Sequence, residues 1–253
     1  MMTDSLKTIL ATLTTLAVCA LAWEGAIRIF ALPPFVLPPL SAVGQALYQG
    51  WVVGTLYEHA LFTLQGAAAG LVIGVVVAIV LGALVAEIRP LALAVYPLVI
   101  ATQSMPTVAI APLIVVYLGI GLPSKIATVA LLCFFPVFVN TIVGVRGANP
   151  ALVDLYRAFG ASRTRIFLDV KLPGAVDSIM AGIQIAVVLA FVGCVVSEFI
   201  ASPKGLGHIV KTFASDLNVS VMFAAIIGLG VLGALAAALI RAAHRALVPW
   251  RRS

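Results

Sequence analysis

The chain has 253 residues, 63% of them hydrophobic and only 9% charged; fifteen Lys and Arg against nine Asp and Glu leave a formal net charge of +6. A soluble domain carries about a quarter charged residues, so this composition cannot clothe a globule in a solvated surface, and a mean hydropathy of +1.20 equally excludes disorder. What remains is an integral membrane protein. A helix needs about 20 apolar residues to cross a hydrocarbon core. Uncharged runs at Leu61–Ala86, Pro90–Ser124, Ile126–Val145, Ser178–Ser197 and Leu217–Ile240 meet that length. With Leu6–Ile29 as a further candidate, they predict an all-α polytopic protein of about six transmembrane helices.

In chain order, Leu6–Ile29 has Lys7 near one end and Glu24 and Arg28 near the other. Ala20-Leu21-Ala22 imitates a signal-peptide cleavage site, but one basic residue and a long apolar stretch favour a retained helix. The paired prolines of Ala31–Pro39 predict an extended segment outside the hydrocarbon. Ser41 is the expected N-cap of a short amphipathic helix through Gln49 on the outer interface. In the second span, about Leu61–Ala86, Gly66, Gly70 and Gly74 line one face, which suits close packing either within one subunit or against a second copy.

Pro97, Pro106 and Pro112 break the third run, and around them lies its polar patch, Thr102, Gln103, Ser104 and Thr107. A kinked helix lining a pathway is the expectation, with kink repair by Ser104 and Thr107 as the plainer alternative. Gly119–Lys125 is expected as a tight outer loop, and Ile126–Gly144 as the fourth span, where Asn140 faces a cavity or bonds another helix. Arg146–Pro173 is the one long polar stretch on the inner side. A turn at Asn149-Pro150, a short helix Asp154–Phe159, an interruption at Gly160 and an amphipathic turn to Val170 are predicted. Such a helix pair lies on the membrane surface with snorkelling arginines or docks into a groove on a partner. The fifth span, about Ala175–Ile200, contains Gln184 and ends at Glu198, expected to be solvated at the outer interface, with a pathway role as the lesser reading. The glycine-rich segment Ser202–His208 lacks a Walker pattern and faces outward, so a phosphate cradle is rejected. The sixth span is Val219–Ile240, closing on a basic tail.

Six crossings with an inner N-terminus put eleven Lys and Arg inside and four, Arg28, Lys125, Lys204 and Lys211, outside, as the positive-inside rule requires. The basic residues are scattered over loop ends and form no stripe, which excludes nucleic acid as a partner. Cys19, Cys133 and Cys194 lie in apolar runs and are read as packing residues. No paired histidines, clustered thiolates or nucleophile elbow suggest a metal site or catalysis. Nor is there a pair of acids deep in a span to couple an ion gradient. Any transport would then be driven by a separate motor.

Asp154-Leu155-Tyr156, three residues, Gly160, nine residues and Val170-Lys171-Leu172-Pro173 resemble the cytoplasmic EAA loop of bacterial ABC-importer permeases. Gly160, Leu172 and Pro173 match that pattern, Asp154 and Val170 are conservative replacements, and Leu155 and Tyr156 depart from its two alanines. Thr102–Pro112, Cys133–Thr141 and Ser197–Gly207 are similar to the nitrate/sulfonate/taurine permease family and to carriers of thiamine- or riboflavin-precursor heterocycles. The resemblance implies a type I importer permease fold, one transmembrane domain over 1–253 with its core at about 60–245. It also implies a homodimer in the bacterial inner membrane, both termini cytoplasmic, with two ATPase subunits inside and a solute-binding protein outside. ATP and magnesium would sit on the ATPase, and this chain would bind no cofactor or metal and catalyse nothing. The 146–173 loop would hold the coupling helix, with Asp154, Tyr156, Arg157, Phe159, Gly160, Ala161, Ser162, Arg163 and Arg165 docking and Leu172 and Pro173 fixing its exit. Thr102, Gln103, Ser104, Pro106, Thr107, Asn140 and Glu198 are the pathway candidates. An autonomous secondary transporter or channel, and a membrane scaffold, are the alternatives.

Overall fold

The computed structural model describes residues 2–54, 56–103 and 107–247, and every regular element among them is helical. A first helix, α1 (Met2–Phe30), runs largely exposed and ends at Ala31 in a left-handed turn (φ 47°). The proline segment beyond it folds back, so that the Trp23 indole N–H donates to the Pro38 carbonyl (2.9 Å). The short helix α2 (Leu40–Tyr48) is present, but Pro39 occupies its N-cap position and no side chain caps it; Ser41 lies inside the helix, correcting the expected cap. It continues into a π-turn, Gln49–Val53, that seats Trp51 against Gly228.

Three long helices form the core: α3 (Leu56–Glu87), α6 (Leu122–Arg146) and α9 (Leu172–Ala201). They pack on one another because small residues repeat along the facing surfaces. A Cβ on Gly70 would lie 2.5 Å from Val129 Cβ, and one on Gly74 would lie 2.6 Å from the Ala130 carbonyl oxygen. The glycine ladder of α3 thus serves packing against α6 inside the subunit, which decides between the two readings of it. Without lipid-excluding hydrophobic force inside a bilayer, such close contact is the main source of helix–helix attraction. Cys133, Val137, Phe138, Ala186, Ala190 and Cys194 fill the seam. Cys133 and Cys194 are the buried packing residues expected, whereas Cys19 is exposed on α1.

The long third run divides into α4 (Arg89–Gln103) and α5 (Thr107–Leu118), neither long enough alone for a full crossing. Only residues 119–121 separate α5 from α6, so the expected outer loop is shorter than Gly119–Lys125 and Lys125 belongs to the helix. Beyond α6 come α7 (Pro150–Ala158), α8 (Arg163–Ile166), a π-turn Phe167–Lys171 and then α9 without interruption. A helix absent from the expectations, α10 (Leu206–Ser215), follows α9, and α11 (Val219–Leu247) completes the chain. Among the described residues four helical stretches are long and apolar enough to cross a membrane: Leu56–Glu87, Leu122–Arg146, Arg163–Ala201 and Val219–Ala246.

Candidate functional site

The 146–173 loop is built from two capped helices and a glycine. Asn149 Oδ1 accepts from the Ala151 amide (3.0 Å), and Pro150 follows at the first helical position, where its missing N–H costs nothing. This starts α7 four residues earlier than the expected Asp154. At its far end Gly160 adopts φ +74°, the left-handed conformation that glycine takes without steric cost. Ser162 Oγ then caps α8 by accepting from the Arg165 amide (3.3 Å). Val153, Ile166 and Val170 close a small core with Tyr156 and Ala161. Ala161 is therefore partly used in holding the two helices together, while Phe159 is 83% exposed at the turn.

The charges of the loop divide into paired and unpaired. Arg157 reaches Asp154 (3.1 Å) and Arg165 reaches Asp169 (3.3 Å), both on exposed surface, where such pairs contribute little. Arg163 has no ion-pair partner among the described residues. It lines an open cleft of about 730 Å³ with Arg157, Thr164, Phe167, Lys171 and Glu87. Lys171 donates to Glu87 at the end of α3 (2.6 Å), and Arg146 donates to the Val85 carbonyl (3.3 Å). The loop is thereby fastened to α3 as well as joined covalently to α6 and α9; Leu172 and Pro173 form the first turn of α9. On the same side His244 Nε2 lies 3.1 Å from Asp177 Oδ1, and His244 Nδ1 lies 3.2 Å from Gln184, linking α11 to α9.

Of the pathway candidates, only Asn140 and Glu198 have described side chains. Thr102 and Gln103 end α4 and Thr107 begins α5, but their side chains lie outside the described residues, as do Ser104 and Pro106 altogether. Asn140 is half-buried on α6, where its amide donates to the Pro136 carbonyl of its own helix (2.8 Å) and its Cβ abuts Gly182 of α9.

Glu198 is not solvated at an interface. Its side chain is 0% exposed, and so is that of Lys125, which donates to Glu198 Oε1 at 2.6 Å. Burying either charge alone would be prohibitive, and the surroundings show how the pair is sustained. Thr63 Oγ1 donates to Glu198 Oε1 (2.8 Å) and the Gly207 amide donates to Oε2 (2.6 Å). The Lys125 ammonium also donates to the Phe62 carbonyl (3.3 Å) and stands 3.6 Å over the Phe62 ring. Gly66 makes room for the lysine stem, and Gly205 and Gly207 lie directly against the carboxylate. The glycine-rich turn thus does cradle an anion at a helix N-terminus, namely the chain's own Glu198. A signal existed for this: Lys125 is the sole charge between two long uncharged runs, and Glu198 ends another.

Residues 70–253 match the family described as binding-protein-dependent transport system inner membrane component. The chain is 31% identical to the formylaminopyrimidine transport permease protein of Halalkalibacterium halodurans over 91% of each chain. It is 32% identical to the riboflavin transport system permease protein of Chloroflexus aurantiacus, covering 94% of this chain and 89% of that protein. Against the taurine transport system permease protein of Escherichia coli it is 30% identical, covering 93% and 88%.

Proposed function

The chain belongs to the binding-protein-dependent transport system inner membrane component family, as an ABC-importer permease of the nitrate/sulfonate/taurine type, and from that membership we propose a specific division of labour. In it the chain pairs with a second copy and forms the translocation pathway, two ATPase subunits dock on the 146–173 loop, and a solute-binding protein delivers cargo from the other side. The protein sits in the bacterial inner membrane with both termini cytoplasmic and crosses six times, α4 and α5 together making one crossing and α1 another. The cargo is a small polar solute, of the sulfonate or taurine kind or a heterocycle of the riboflavin or thiamine-precursor kind, which are the classes named for the relatives.

The observation that carries this reading is the form of the loop. Two capped helices meet at Gly160 and present an exposed Phe159 flanked by Arg157 and Arg163. An aromatic anchor in a ring of arginines suits an apolar groove with acidic rims on a partner. The loop enters α9 directly and grips α3 through Lys171 and Glu87, so displacement of the docked turn is passed to two core helices. Closure of the ATPase on ATP would move it, and the spans would alternate between inward- and outward-open forms.

The test is reconstitution with the ATPase and binding protein. Gly160→Pro, which cannot adopt φ +74°, or Arg163→Glu should leave membrane insertion intact and abolish solute-stimulated ATP hydrolysis. Wild-type stimulation in both variants would refute the docking assignment. Uptake by the purified chain alone under an ion gradient would establish the autonomous-transporter alternative.

A further inference from the structure

We propose that Lys125 and Glu198 are positioning residues that bind the 202–215 segment to α3, α6 and α9 as one body, so that the pathway opens on that side beside this body and not within it. Three consecutive amides carry the argument. Gly205 N–H donates to His59 Nδ1 (3.0 Å), Leu206 N–H to Thr63 Oγ1 (2.9 Å) and Gly207 N–H to Glu198 Oε2 (2.6 Å). Amides around a helix start ordinarily find water or a local cap. Here they all go to side chains of α3 or α9, and Glu198 is in turn held by Lys125 of α6.

Separating α10 from the core would strip Glu198 Oε2 of its Gly207 donor and free the Gly205 and Leu206 amides, while Lys125 and Thr63 stay on Glu198 Oε1 and hold the carboxylate in place to receive them. The fit is also steric. Gly205 holds φ +115°, and a Cβ on Gly207 would lie 2.9 Å from Glu198 Oε2. Leu206 is fully buried with Leu56, Ala60, Ala224 and Ala225, which adds α11 to the same unit. Among its described side chains, 108–118, α5 makes no hydrogen bond to another helix, in contrast to the start of α10.

Amide hydrogen exchange reads this directly. In the purified wild-type permease in lipid, residues 205–207 should exchange slowly, and Thr63→Val or Lys125→Met should speed them on the order of tenfold or more. Unchanged exchange in both variants overturns the positioning role, whatever drives transport. In the complex with its ATPase, the wild-type rates at 205–207 should agree within about threefold between the resting and the ATP/vanadate-trapped states. A tenfold acceleration on trapping overturns the single-body inference. This second arm rests on the permease reading, and failure to form a trapped complex at all would count against that reading instead. Lys125→Met should also raise the ATP consumed per solute imported several-fold, because a loosened outer end wastes strokes. A wild-type ratio in a correctly inserted variant would overturn the positioning role, since lost stability alone lowers the amount of active protein and not its stoichiometry.

Discussion

The buried ion pair makes a quantitative prediction for a double-mutant cycle. Lys125→Met removes the ammonium but keeps most of the stem that fills the space beside Gly66. Glu198 then remains fully buried with Thr63 and Gly207 as its donors and no countercharge. Removing one partner of a buried pair costs ~3–5 kcal/mol. No discount for solvent screening applies, because both side chains are 0% exposed. Glu198→Gln should cost a similar amount by stranding the ammonium on the Phe62 carbonyl and ring. The double variant carries no charge, and its glutamine carbonyl can still accept from Gly207. Its cost should fall to ~1–2 kcal/mol, that of a lost hydrogen bond and imperfect packing. The coupling energy is therefore about 4 kcal/mol or more, above the ~0.5–3 kcal/mol usual for residues in contact. Reversible unfolding in mixed micelles, followed by circular dichroism across a denaturing-detergent series, measures all four proteins. Additivity within about 0.5 kcal/mol would refute the reasoning.

Other substitutions probe different contacts. Gly70→Leu should prevent α3 from seating on Val129 and the Ile126 carbonyl, lowering stability by about 1–3 kcal/mol or more, while Gly25→Leu, with open space around it, should be nearly neutral in the same unfolding assay. Ser197 carries a buried hydroxyl with no hydrogen-bond partner among the described residues, so Ser197→Ala should leave stability unchanged or raise it by up to about 1 kcal/mol. A clear loss would mean that the hydroxyl has a partner. Asp177→Asn weakens the tie between α9 and α11 at a partly exposed site, and a cost of about 0.5–1 kcal/mol is expected, read as a small shift in the unfolding midpoint. A loss above about 3 kcal/mol would mark it as a buried charge pair instead.

Four of the expected spans were legible because hydrocarbon tolerates so little: long uncharged runs between single charges leave few arrangements. The 146–173 loop was legible for a second reason, since Asn149-Pro150, Gly160 and Leu172-Pro173 are local punctuation whose effect does not depend on distant partners. Lys125 and Glu198 escaped because their state is set by each other across 73 residues of chain. Read singly, a charge at the end of an apolar run is solvated at the interface; read together, the two are complementary and bury one another. Helix α10 escaped likewise, since Pro-Lys-Gly-Leu-Gly argues for a turn and its start is fastened by side chains of other helices and not by a local cap. Asn140 was left open between a cavity and another helix; its amide nitrogen bonds its own backbone one turn back, a local partner outside both expectations.

The helical path from Arg163 to Ala201 runs 39 residues through the π-turn. At 1.5 Å per residue it is about 57 Å long, more than the hydrocarbon core is thick. One end carries the turn around Phe159, and the other carries Glu198. A stiff rod of that length needs no relay of side-chain rearrangements to signal across a bilayer: a tilt of about 10° about its middle swings each end by roughly 5 Å in opposite directions. If the path stays straight through the π-turn, force applied at one face would emerge at the other as motion of opposite sense. A helix-breaking residue placed midway, at Ala186 for example, should disconnect the two ends even though it touches neither.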